Sequence, residues 1–120
     1  MTPAAGEVPL TGTVWNVVEL NGSPATGPRL ELDPDGARIA AHGGCNTIGG
    51  AYELSGSRLR ADGPLMMTKR ACAERQRNVT ENEFVKALEA MRSYAISGRT
   101  LILYSQSGAE IAKLEAAADR

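Results

Sequence analysis

At 120 residues the chain has room for one domain with a genuine core, and 42% hydrophobic with 22% charged residues is the composition of a globular protein. Thirteen basic residues against fourteen acidic ones give a net charge of −1, and aromatics make up only 4%. That balance excludes the electrostatic footprint of a nucleic-acid binder, and no apolar run is long enough to cross a bilayer as a helix.

Residues 1–10 have neither a basic n-region nor an apolar h-region, so no signal peptide is expected in the sequence as written. Pro3 and Pro9 among small residues predict a flexible leader. Val14–Leu20 is rich in β-branched and aromatic residues and reads as a strand ending at Asn21-Gly22. Ser23 to Pro28 is expected to be a longer loop rather than the return arm of a tight hairpin. Arg29–Asp33 alternates at period two, and after the turn Pro34-Asp35-Gly36 the run Ala37–His42 resumes as a strand, making a hairpin with good turn chemistry.

Gly43-Gly44-Cys45-Asn46-Thr47-Ile48-Gly49-Gly50 is the least ordinary passage, with four glycines in eight residues. Glycine permits positive φ and close backbone approach, so a bend or tight crossing is expected. A phosphate loop is not, because no Lys-Ser/Thr pair and no helix follow. Ala51–Leu54 and Arg58–Ala61 are strands about Ser55-Gly56-Ser57, and Leu65–Cys72 reads as a short strand and an irregular crossing. Thr80-x-x-Glu83 resembles a capping box, and Phe84, Val85, Leu88 and Met91 form one apolar stripe. Together they predict a helix over 81–92 with Arg92 in its last turn. Tyr94–Ser97, Thr100–Tyr104 and Ala109–Leu114 close the chain as antiparallel strands, with residues 116–120 a frayed tail. The predicted fold is α+β: an antiparallel meander or partly closed barrel of about eight strands, with one helix before the last three.

Several of these residues stand in a family's order. Trp15 before Leu20-Asn21-Gly22, Gly44-Cys45-Asn46, Gly50-x-Tyr52, Thr68-x-x-x-Cys72 and Tyr94-x-Ile96-x-Gly98-x-x-Leu101-x-Leu103 together resemble the bacterial META domain family, of HslJ-like heat-shock and envelope proteins. The similarity spans residues 11–115 as a single domain. It implies a compact, largely antiparallel fold and an extracytoplasmic setting (periplasmic, secreted or lipid-anchored). Membrane proximity would then come through an N-terminal anchor outside this sequence, whereas a native start at Met1 implies cytoplasm. The resemblance supplies no catalytic, cofactor-binding or metal residues, and Lys69-Arg70-Ala71 departs from the typical run before the cysteine.

Cys45 and Cys72 are expected to form a structural disulfide, in keeping with the oxidising setting that the resemblance implies; the alternative is two buried thiols. His42-x-x-Cys45 with Cys72 lacks a convincing fourth ligand for zinc. Lys69, Arg70, Arg75 and Arg77 form a basic cluster, read either as a solvated loop or as a docking face for an acidic partner. Trp15, Tyr52 and Tyr94 are expected in the core or on a sheet face.

The leading expectation is a monomeric, non-enzymatic envelope module that binds a protein or small ligand, with a stress-related or scaffolding role. One alternative is a lipid or small-molecule binder with a cavity between sheet and helix, lined by Met66, Met67, Phe84 and Leu88. The other is a cysteine-dependent redox protein or enzyme.

Overall fold

Along several strands buried residues alternate with more exposed ones, and the sheet curls until its first and last main strands meet. The computed structural model describes residues 8–70 and 72–117. Its elements are β1 (Trp15–Leu20), β2 (Ser23–Pro24), β3 (Arg29–Asp33), β4 (Arg38–His42), β5 (Thr47–Ser55), β6 (Arg58–Ala61), β7 (Met66–Met67), α1 (Arg75–Ala90), β8 (Ser93–Ser97), β9 (Thr100–Tyr104) and β10 (Glu110–Ala116). Strands β1, β3, β4, β5, β6, β8, β9 and β10 follow one another around a closed antiparallel barrel, completed by β10 pairing with β1. Two short strands lie off this ring, β2 on β1 and β7 on β5.

An eight-stranded ring leaves an interior just wide enough for side chains to fill. Trp15, Leu30, Leu32, Ile48, Leu59, Leu101, Leu103 and Leu114 are fully buried, and α1 adds Phe84 and Leu88, with Met91 just past its end, to the same cluster. The helix lies against β6, β1 and β10. Tyr52 is also buried, and Tyr94 is half-buried against the core. The cavity expected between sheet and helix does not form from the named residues. Phe84 and Leu88 are core, whereas Met66 is 74% exposed and Met67 37%.

Several boundaries differ from the sequence expectation, each for a local reason. The helix begins at Arg75, six residues before the expected start, and its N-cap Glu74 makes no side-chain cap bond. Thr80 is therefore buried inside the helix, where its hydroxyl accepts from the Gln76 Nε2 amide at 3.3 Å. Residues 75–79 are all exposed, so no apolar stripe marks them. The helix stops at Ala90, and Arg92, just past the end, still donates through Nη1 to the Glu89 carbonyl at 3.0 Å.

Asn21-Gly22 does make a tight hairpin, because Leu20 pairs with Ser23 across it. Both turn residues have positive φ, 51° and 83°, as a type I′ turn requires. Residues 8–10, expected to end a flexible leader, are tied to the body. Val8 N–H donates to the Gly98 carbonyl, Leu10 is buried, and the Trp15 indole N–H donates to the Leu10 carbonyl at 3.0 Å. Residues 1–7 lie outside the described residues. Ala116, expected to be frayed, pairs with Trp15, and Ala117 N–H donates to the Val14 carbonyl; residues 118–120 lie outside the description. A register shift between Glu110 and Ala112 lets both Ile111 and Ala112 face inward, breaking the strict alternation of β10.

Tyr52 links the barrel wall to the β3–β4 hairpin, its hydroxyl donating to the Asp33 carbonyl at 3.0 Å. Burial, reinforced by the Asp33 charge, raises its phenol above the ordinary value of 10.0. The unfolded chain therefore loses this proton first, and Tyr52's contribution falls as pH rises from 10.0 through the higher folded value. Tyr52→Phe should cost about 1 kcal/mol at neutral pH. Urea unfolding should show that deficit shrinking in alkali; a deficit constant with pH would contradict it.

Candidate functional site

The glycine passage divides in two. Residues 43–46 are the loop between β4 and β5, where His42 pairs with Thr47, while Gly49 and Gly50 lie within β5. Gly44 has φ +106°, and its N–H donates to His42 Nδ1 at 3.0 Å. This fold points the next two backbone N–H groups at the helix.

They meet Glu81, which is 2% exposed. Its Oε2 accepts from Cys45 N–H at 3.1 Å and from Asn46 N–H at 2.6 Å, and its Oε1 accepts from Asn46 Nδ2 at 2.8 Å. Asn46 uses the whole of its side-chain amide. Nδ2 also donates to the Arg70 carbonyl at 3.1 Å, and Oδ1 accepts from the Thr68 hydroxyl at 2.8 Å and from Arg70 N–H at 2.6 Å. Thr68 Oγ1 in turn accepts from Thr47 N–H at 3.1 Å. One side chain thus ties the β4–β5 loop, the crossing after β7, and α1.

Gly43 is fixed by the same carboxylate. A Cβ there would overlap the Glu81 side chain, lying 2.6 Å from Oε2 and 2.8 Å from Cδ. Gly50 is also tight, since a Cβ would stand 3.0 Å from Leu65 Cδ2.

Cys45 and Cys72 form a disulfide beside this node, spanning 27 positions. On the chain-entropy account a loop of that length stabilises the fold by roughly 3–4 kcal/mol. Cys45, Cys72 and Glu81 approach closely enough to suggest a metal cluster, but bridged sulfurs offer no thiolate. The same bond leaves no sulfur free as a nucleophile.

Of the sequence-predicted residues, the structure brings Gly44, Cys45, Asn46, Thr68 and Cys72 together, while Gly50 stands apart in β5. The basic cluster is exposed. Arg77 pairs with Glu74 at 2.9 Å, and Arg70 joins the node through its backbone alone. Shallow clefts flank the disulfide, bounded by His42, Gly44, Arg70 and Arg77. The residue missed by sequence reasoning is Glu81. It stands three and seven positions before Phe84 and Leu88, on the buried stripe, and a carboxylate there was the available signal.

A closed eight-stranded antiparallel barrel, strapped by one helix and locked through a buried carboxylate and a disulfide, defines the class. The META domain family model matches residues 8–118, and the chain belongs to that family. Solved structures share the fold. One determined by NMR is 24% identical with a TM-score of 0.69, covering 88% of this chain and 90% of its own. Another NMR structure, from Burkholderia xenovorans, is 20% identical with a TM-score of 0.70, covering 92% and 85%. A crystal structure of a DUF4847 family protein from Bacteroides vulgatus is 16% identical with a TM-score of 0.66, covering 92% and 96%. No curated protein matches.

Glu81→Gln puts an amide donor where only acceptors serve, leaving one of the three N–H groups without a partner. Urea unfolding should show a loss of about 2–3 kcal/mol with the slope unchanged. Gly43→Ala should also destabilise, by displacing the carboxylate. A loss under about 0.5 kcal/mol for Glu81→Gln would show that the node does not hold the fold.

Proposed function

We propose that the chain is a non-enzymatic, extracytoplasmic binding or scaffolding module with a stress-related role, acting through its outer surface rather than an internal chamber. The observation that carries this reading is the completeness of its internal pairing. Among the described residues no buried side-chain nitrogen or oxygen lacks a partner. Glu81, the buried carboxylate, accepts from three N–H groups, and both cysteines are bridged. A general acid or nucleophile needs unused capacity aimed into a cleft, and this node has its capacity taken up. The filled interior favours a surface partner over an enclosed lipid.

The disulfide supports an oxidising compartment, as the family resemblance implies. No helix among the described residues is long and apolar enough to cross a membrane. The exposed cations Lys69, Arg70 and Arg75, close to the Cys72 anchor, would give an acidic partner a fixed face.

The test is the thiol state of the native protein after rapid alkylation and cell fractionation, read by mass spectrometry. The expected result is an unalkylated bridged species outside the cytoplasm. Doubly alkylated protein confined to the cytosol would overturn the reading.

A further inference from the structure

The barrel wall has a weak seam. Strands β6 and β8 share a single register pair, Arg58 with Ser93, where other neighbours on the ring share at least two. Backbone bonds from Leu59 N–H to the Arg92 carbonyl and from Tyr94 N–H to the Ser57 carbonyl close it at that point. Outside the seam lies a groove of about 540 Å³. This is within the usual size for a small-molecule site, about 300–1,000 Å³.

Most residues that line it are polar, and three of them are arginines. On one wall Arg58 and Arg60 share the outer face of β6, opposite Ser55 and Glu53 of β5. On the other stand Arg92 and Ser93, with Ser105 and Gln106 beyond them. Arg60 is neutralised by Glu53, Nη2 to Oε1 at 2.6 Å. Arg58 makes no ion pair among the described residues. Arg92 is anchored through Nη1, which donates to the Glu89 and Met91 carbonyls at 3.0 and 2.7 Å. Its other N–H groups are left available in a fixed fork.

Two unneutralised guanidiniums thus flank the seam, in a chain whose net charge is −1. Arg92 also serves the helix end through its two carbonyl contacts, whereas Arg58 makes no ion pair among the described residues that would account for its charge at this place. The Leu59 side chain is buried in the barrel core, so among the described residues the apolar surface of the groove comes chiefly from the stems of its polar and charged side chains.

We propose that this groove binds a small hydrophilic molecule carrying two oxyanion charges, phosphate or carboxylate, held between Arg58 and Arg92 with the Ser93 hydroxyl, and the Ser105 hydroxyl now paired with Ser107 Oγ at 3.0 Å, as further donors. Guanidinium forks match both oxyanions, and the hydroxyls suit the polar remainder of such a ligand. This deepens the reading of the chain as a binding module. A failed titration would remove the ligand yet leave the thiol and fractionation result untouched.

The test is an amide-resolved NMR titration of the full chain with pyrophosphate and with succinate at constant ionic strength, using glycerol as the neutral control. The expected result is saturable shifts at Arg58, Arg92, Ser93, Ser105 and Gln106, absent with glycerol. Binding should weaken about tenfold in Arg58→Gln, which leaves the core untouched. Vesicles of anionic lipid that attenuate the same amides would support an oxyanion on a headgroup, and an effect of soluble anions alone a free ligand. Non-saturating shifts, shifts centred on Lys69–Arg77, or unchanged affinity in Arg58→Gln would overturn the proposal.

Discussion

The carboxylate of Glu81 is the constraint around which the rest is arranged. A buried carboxylate is tolerated only when it is hydrogen-bonded, and here three N–H groups donate to it, all from Cys45 and Asn46. Its importance lies in what its absence would cost. Without the carboxylate, the backbone N–H groups of Cys45 and Asn46 and one N–H of the Asn46 amide would face the helix with nothing to accept them. The glycines make the approach feasible, Gly43 by clearing space for the Glu81 stem and Gly44 by its positive φ.

From that node the order spreads in two directions. Asn46 carries it to the segment after β7, where Thr68 and Arg70 complete its amide. The disulfide then holds Cys72 beside Cys45, three residues before the helix begins. With its start fixed by a covalent bond, α1 does without a side-chain N-cap. Its far end is set by Phe84, Leu88 and Met91 in the barrel core. The helix is thus held both by a polar lock and by an apolar one.

Much of this was legible in the sequence, and what escaped shares one cause. Period-two alternation in Arg29–Asp33 reports burial directly, and short turns bracket the apolar run Thr100–Tyr104, so those strands lie where expected. Phe84 and Leu88 reveal the buried half of the helix, but Arg75–Val79 face solvent and carry no periodicity. Thr80 and Glu83 imitate a cap because a local pattern cannot know that Cys72 has already set the chain's direction. Glu81 was hidden for the same reason: its partners are 35 and 36 positions away. Positive φ at Asn21 and Gly22 was readable in principle, yet the prolines after it suggested a loop where β2 forms.

The node's claim can be read at two atoms. Native-state hydrogen exchange at the Cys45 and Asn46 amides measures whether the β4–β5 loop is held as the core is or moves as a loop does. A locked carboxylate predicts protection of both amides comparable to that of the β4 and β5 ladder. Exchange as fast as at the exposed turns, such as Gly22 or Gly56, would contradict the account.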